Sequence, residues 1–165
     1  MCNYSIYIGI TPEIRDRGAR WVLIVVNPNG QSCTYYLATG GPESATVTPY
    51  KRDKVGRKDF LQPYFAERIA VGSIREENLN TFESVFRKTV PGPNQFFVVR
   101  LLYRCVKENL IEKPGLVGLL SRADYTKREW EYFGNRYSVV DAEFLNGGTL
   151  AAKVTSWIRG RLAFL

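Results

Sequence analysis

The order of apolar and polar residues in the first part of the chain predicts β-strands. Residues 4–10 (YSIYIGI) are β-branched and aromatic and stop at Thr11-Pro12, which is typical of a strand. Residues 20–27 form a nearly continuous apolar run that ends at Pro28-Asn29-Gly30, and a second run, residues 33–39, follows. A turn of this composition between two such runs predicts an antiparallel hairpin. Residues 68–74 predict a further strand.

From Glu76 onward the apolar residues recur at helical spacing. Leu79, Phe82, Val85 and Phe86 predict a helix that ends before Pro91-Gly92-Pro93. Pro93 suits the first turn of a second helix, whose apolar face runs towards Lys113-Pro114-Gly115. That face consists of Phe97, Val98, Leu101, Leu102, Cys105 and Val106.

The pattern is less regular elsewhere in the chain. Residues 50–60 predict a loop, residues 116–121 and 127–133 short helices, residues 139–145 a strand, and residues 150–162 a terminal amphipathic helix. Strands therefore come first and helices later, which favours an α+β fold with an antiparallel sheet. The length of 165 residues, with 45% hydrophobic content, predicts a single domain spanning residues 1–165.

The charge of the chain favours an anionic partner such as nucleic acid, a phosphate-bearing ligand or an acidic membrane surface. Lysine and arginine outnumber aspartate and glutamate by 23 to 16, a net charge of +7. The cations fall into two groups: Lys51, Arg52, Lys54, Arg57 and Lys58 in the predicted loop, and Arg100, Arg104 and Lys107 along the second helix. Converging cations beside aromatic residues would form a track for an RNA backbone, whereas scattered cations would only be a solvated surface.

Other features exclude several kinds of chemistry. The chain has no histidine, so Cys-His and Ser-His hydrolysis and a histidine-ligated metal are excluded. Cys2, Cys33 and Cys105 are widely spaced and odd in number, which predicts neither a metal pair nor a disulfide framework and fits a reducing cytoplasm. The sequence shows no apolar run of about 18 residues and no signal peptide, so we expect a soluble protein with no membrane partner. No cofactor or metal is expected.

Three short segments carry a resemblance to a known group of families. Arg20-Trp21 opens one strand, Tyr35-Tyr36 lies on the next, and residues 93–98 (PNQFFV) open the long helix. In order and spacing these segments resemble the permuted papain-like families, namely the lecithin:retinol acyltransferase, PPPDE and NlpC-like group. The resemblance implies a papain-like topology. It also places Arg20 where that group has its histidine base and Asn94 where it has its thiol, so it implies a repurposed cleft rather than a hydrolase.

The cleft expected at the start of the long helix would bind an anion or stabilise an oxyanion. Asn94 and Gln95 would be side-chain donors there, with Tyr36 beside them, because the helix N-terminus already favours negative charge. The alternative is that Asn94 only caps the helix and that Gln95 is solvated.

Further residues are candidates for substrate binding beside Trp21. Arg20 would hold a phosphate or carboxylate, or would be an ordinary arginine at a strand start. Gly40 and Gly41 would let a ligand approach the backbone, or would simply form a turn. The acidic residues Glu43, Asp141 and Glu143 would bind a cationic group, although Asp141 and Glu143 also suit a polar sheet edge.

Two functions of different class remain open. The first is an enzyme whose substrate is already activated, such as aminoacyl-tRNA, so that proximity and oxyanion stabilisation suffice. Small size, basic charge and residues 93–111, which resemble small fungal domains, are similar in character to the fungal arginine-containing cyclodipeptide synthases, without a shared motif. The second is a non-catalytic papain-like module that binds RNA, a peptide or a protein. Transfer RNA is the partner expected under the first function.

Overall fold

Strands come before helices in the described part of the chain, as the sequence predicts. The computed structural model describes residues 2–13, 19–41 and 47–111, together with 119, 122 and 123. Its strands are β1 (Asn3–Ile10), β2 (Trp21–Val26), β3 (Ser32–Gly41), β4 (Thr48–Asp59) and β5 (Glu67–Arg75). A 3-10 turn (Glu76–Asn78) leads into helices α1 (Leu79–Lys88) and α2 (Asn94–Lys107). The strands form one antiparallel sheet in the order β4-β3-β2-β1-β5, so the predicted α+β class is confirmed.

The hairpin between β2 and β3 forms as the sequence predicts. Its register runs from Leu23 opposite Tyr36 to Val26 opposite Cys33. Gly30 adopts a φ of 72° and its N–H donates to the carbonyl of Asn27 at 2.8 Å. A positive φ is open to glycine at little steric cost, which is why the chain can reverse here.

Residues 50–60 are not the loop that the sequence predicts. Nearly all of them belong to β4, an edge strand whose only partner among the described strands is β3. The prediction is wrong because an edge strand needs no continuous apolar face, and a row of charged side chains discourages pairing with another chain. Bulges at Cys33/Tyr35 and Thr39/Gly41 on β3 interrupt the register between the two strands.

The main core lies between the sheet and the two helices. Inward side chains of β1 and β2, such as Ile6, Ile8 and Leu23, are fully buried against Phe82 of α1 and Phe97 of α2. The helical spacing predicted for both segments is therefore confirmed. Other buried helix residues on this face include Val85, Phe86, Val98, Leu101 and Cys105.

The opposite face of the sheet carries a second, smaller core. It consists of Val22, Ile24, Val26, Cys33, Tyr35 and Phe65. Phe65 comes from the β4–β5 link, residues 60–66, which crosses this face and is joined to β1 by the bond from the Ala66 N–H to the Ile10 carbonyl at 2.8 Å. Gly9 makes room for the link, because a Cβ there would lie 2.7 Å from the Phe65 ring.

Several predictions fall outside the described residues. They are the short helix at 127–133, the strand at 139–145, the terminal helix at 150–162, most of the short helix at 116–121, and the candidate residues Glu43, Asp141 and Glu143. Among the described residues, neither helix combines the length and apolar character needed to cross a membrane. The same residues include no group of three or more cysteine, aspartate and glutamate side chains placed to hold a metal ion.

Candidate functional site

Asn94, the first residue of α2, joins the helix to two strands. Its Oδ1 accepts a hydrogen bond from the Trp21 N–H at 2.6 Å, and its Nδ2 donates to the carbonyl of Ala38 at 3.1 Å. Trp21 and Ala38 lie opposite each other two positions beyond the Leu23–Tyr36 pair when the β2–β3 register is continued. The carboxamide therefore extends the ladder between two strands at the end where they part.

Gln95 makes a similar contact beside it. The side chain is buried, and Nε2 donates to the carbonyl of Ala19, two residues before β2, at 2.7 Å. We call Asn94 and Gln95 the amide clamp, because together they hold the start of α2 against β2 and β3. Each amide nitrogen donates one N–H to a backbone carbonyl, so a ligand anion at this position would compete with the protein's own carbonyls for these two bonds.

The structure also corrects the simpler interpretation of these two residues. The N-cap of α2 is Pro93 and no side chain caps the helix, so Asn94 is not a cap. Gln95 is only 8% exposed, so it is not solvated. Both amides instead satisfy backbone groups of the sheet, a role that depends on contacts distant in sequence.

Tyr36 forms a network with α1 rather than with Asn94. Its ring packs edge-on against Phe82 and Phe86, with centroids 5.0 Å apart in each case, and its hydroxyl donates to Glu83 Oε1 at 2.5 Å. Burial, with the Glu83 carboxylate as a further cause, raises the pKa of Tyr36 far above its ordinary value of 10. The phenol is therefore neutral and acts as a donor. Lys54 of β4 lies 2.6 Å from the same carboxylate oxygen.

Glu83 was not among the residues that the sequence indicated. It is the one carboxylate in α1, and it stands beside the apolar positions Phe82 and Phe86. That placement at the border of an apolar face is the signal that could have identified it. The Tyr36–Glu83–Lys54 network is partly open to solvent, since the Glu83 and Lys54 side chains are 25% and 47% exposed.

Of the remaining substrate-binding candidates, the four that the structure describes lie close to the amide clamp or at the end of β3. The Arg20 backbone N–H donates to Thr11 Oγ1 at 2.9 Å, and Trp21 is buried in the main core. Gly40 and Gly41 adopt φ values of 99° and 93°. A Cβ on Gly40 would lie 2.3 Å from the Pro49 carbonyl oxygen, so the close approach that these glycines permit is that of β4.

Three of the predicted nucleic-acid-binding arginines converge on the end of α1. Arg52, Arg100 and Arg104 donate to the carbonyls of residues 89, 90 and 88 at 2.9, 2.8 and 2.7 Å. Helix C-termini leave carbonyls unpaired and carry partial negative charge, so guanidinium groups suit this position. Arg100 is only 6% exposed, so its placement in a solvated stripe is wrong. Lys107 lies 5.1 Å from the centre of the Tyr103 ring.

The other predicted cations remain on the surface of β4. Lys51 and Arg57 are exposed and Lys58 is half-buried, and none of the three forms an ion pair within the described part of the chain. Lys58 faces Cys33 across the strands, and Lys51 faces Thr39. Cross-strand partners share a face, so Lys58 lies on the side of the smaller core.

The cysteines do not provide an activated thiol in the core. Cys33 and Cys105 are buried free thiols, whereas Cys2 is exposed. Burial raises the pKa of Cys33, and it raises the pKa of Cys105 to about 12. Because the thiolate is the nucleophile, neither buried cysteine is activated at neutral pH.

The fold and these contacts define an α+β protein in which the start of α2 is hydrogen-bonded to the backbone of β2 and β3. One edge of its sheet carries a row of cations. Comparisons with models of known families, with curated proteins and with solved structures each find no match. The resemblance to the permuted papain-like families therefore stays a prediction based on three sequence segments.

Proposed function

We propose that the protein is an RNA-binding module that holds the phosphate backbone of a structured RNA, with transfer RNA as the leading candidate, along β4. The observation that carries this proposal is the cationic edge of the sheet. Lys51, Arg57 and Lys58 line one strand, and Lys54 stands beside them with a half-exposed side chain. Phosphate contacts from such a row release counterions and need no particular base sequence.

The state of the helix start supports binding rather than covalent chemistry. The amide clamp uses its donors on the protein's own backbone, and the buried thiols have raised pKa values. A papain-like ancestry and a cytoplasmic location belong to this proposal. In it, the former catalytic segment has become a structural joint while the sheet edge makes the contact with RNA.

The proposal is tested by measuring the affinity for tRNA as a function of salt. The variant K51E/R57E/K58E reverses three cations on β4, and R75E/R87E/K88E reverses three exposed cations elsewhere as a matched control. We expect the β4 variant to raise Kd at least about tenfold and to reduce the slope of log K against log salt by about 2, with a small change in the control. Equal losses in both variants, or no binding at low salt, would overturn the proposal.

A second function, amide-bond formation from aminoacyl-tRNA of the cyclodipeptide synthase type, is favoured by one specific observation. The Tyr36–Glu83–Lys54 network places a phenol, a carboxylate and an ammonium group together beside β4. Such a network could move a proton from an attacking amine while the RNA is held nearby.

Charged tRNA distinguishes the second function from binding alone. The purified protein is incubated with arginyl-tRNA and a second aminoacyl-tRNA, and diketopiperazines are sought by mass spectrometry. Product that disappears on RNase treatment, and that is lost in E83Q but not in the exposed control E77Q, would support the enzyme. Binding of tRNA without product leaves the binding module as the function.

A further inference from the structure

The β4–β5 link, residues 60–66, carries an exposed aromatic ring on a fixed support. Tyr64 is 58% exposed, yet its ring packs edge-on against the buried Phe65 with centroids 5.1 Å apart. Phe65 in turn packs against Tyr35 of β3, at 5.4 Å. The Tyr64 ring therefore stands on the smaller core, and its outer surface is open.

Arg68 on β5 holds the two ends of this link. Its guanidinium lies over the rings of Phe60 and Phe65, at 5.3 and 5.6 Å, and donates to the carbonyl of Gln62. At the start of the link, the Leu61 N–H also donates to Asp59 Oδ1 at 2.9 Å. A link tied down in this way loses little further conformational freedom when something stacks on it.

The chemistry around Tyr64 favours a nucleotide. Lys58 of β4, just before the link, and Arg68 of β5, just after it, place positive charge on the same face of the sheet. The large exposed hydrophobic residues of the link are Leu61 and Tyr64, far less surface than a stable protein interface buries. One exposed aromatic ring on a face that also carries these two cations has the size and charge for a single base and its phosphate.

We propose that Tyr64 stacks on an unpaired base of the RNA whose backbone β4 holds. This inference rests on the proposed function and specifies the part of the RNA that is recognised. It predicts that the protein prefers RNA with an accessible unpaired nucleotide to a fully paired duplex of the same charge. Aromatic stacking of this kind tolerates any base, because every base has a flat face.

The test compares Y64A with Y64F, and with L61S as a matched exposed control. Kd is measured for a hairpin RNA with an unpaired loop and for a blunt duplex of equal length. We expect Y64A to weaken hairpin binding by about tenfold, with Y64F and L61S close to the parent protein and the duplex little affected. In Y64W, the fluorescence of the new tryptophan should be quenched by the hairpin and not by the duplex.

The outcomes separate this inference from the proposed function. If the β4 charge reversals abolish binding while Y64A binds hairpin and duplex like the parent, the stacking inference is wrong and backbone binding stands. If neither RNA binds the parent protein at low salt, both fail. A Y64A loss that is equal for hairpin and duplex would also overturn stacking on an unpaired base.

Discussion

The two faces of the sheet differ in what covers them. The helix-covered face buries large side chains completely, including Phe82, Phe97 and Leu101. Three polar side chains of α2 that enter it, Asn94, Gln95 and Arg100, bond to the protein's own backbone. The opposite face is crossed by a short link that buries Phe65 and leaves Leu61 and Tyr64 exposed. Stability is therefore concentrated on the first face, and surface open to a partner is found on the second.

The same contrast separates the two groups of residues that the sequence indicated. The amide clamp and Arg100 belong to the first face and serve the fold. Cations such as Lys58 belong to the second face or to the edge between them. Polar residues in a core-facing segment are thus poor indicators of a site when backbone groups nearby need partners.

Replacing one phenylalanine on each face with alanine should show the largest difference in the free energy of unfolding. Phe97 is completely buried, so F97A should lower the free energy of unfolding by about 4 kcal/mol, from lost burial and a residual cavity. F65A, at the rim of the smaller core, should cost less than about 3 kcal/mol. Urea unfolding with an unchanged m-value provides the measurement. An equal loss in the free energy of unfolding for the two variants would contradict the difference between the two faces.

The amide clamp should give the next largest effect. N94A removes the partner of the Trp21 N–H and of the Ala38 carbonyl, and leaving such groups unpaired should cost about 3 kcal/mol in total. N80A, at an exposed position of α1, is the matched control and should change stability by less than about 0.5 kcal/mol. Amide exchange at Trp21 should accelerate in N94A. Unchanged stability in that variant would contradict a clamp.

The sequence indicated most of the framework, for physical reasons that individual residues make clear. The hairpin could be predicted because an Asn-Pro-Asn-Gly turn between two apolar runs has few alternatives, and both helices because Phe82, Phe86 and Phe97 fall at helical spacing. Strand β4 could not be predicted, because its side chains are mostly polar. Its pairing with β3 satisfies the backbone groups whatever those side chains are.

The site was less predictable because it depends on contacts between distant residues. Asn94 stands out in the sequence, but its partners Trp21 and Ala38 belong to strands much earlier in the chain. Glu83 acquires a role only once α1 lies across Tyr36. No local pattern encodes which backbone groups a docked helix will find unpaired.

The rates at which the cysteine thiols react should show how readily each face of the sheet opens to solvent. At pH 8 the exposed Cys2 should react at once with a disulfide reagent, whereas Cys33 and Cys105 should react only through opening. An opening free energy of about 3 kcal/mol slows modification about 100-fold. In a C2S background we expect Cys33 to react before Cys105, since only a short link covers it. F65A should increase the rate of modification of Cys33 alone. An equal increase for Cys33 and Cys105 would argue against separate cores.

The smallest effect concerns the ion pair between Glu67 of β5 and Arg122. The hydrogen bond from Arg122 holds the pKa of Glu67 below its ordinary value of 4.5, so the charged form stabilises the folded state above that pH. This contribution should be lost as the pH falls through the lowered pKa. The stability difference between the parent and E67Q should therefore be largest near pH 7 and vanish in acid. A difference that stays constant with pH would show that the pair contributes nothing.

The strand order has a consequence for the order in which the protein can assemble. Strands β1 to β4 are neighbours in sequence and can pair successively as they leave the ribosome, but β1 receives its second partner only when β5 has been made. Until then the backbone edge beside Ile6 and Ile8 is open, without the charged side chains that protect β4. A chain truncated between β4 and β5 should therefore aggregate during expression, and any truncated form of this protein should keep both strands together.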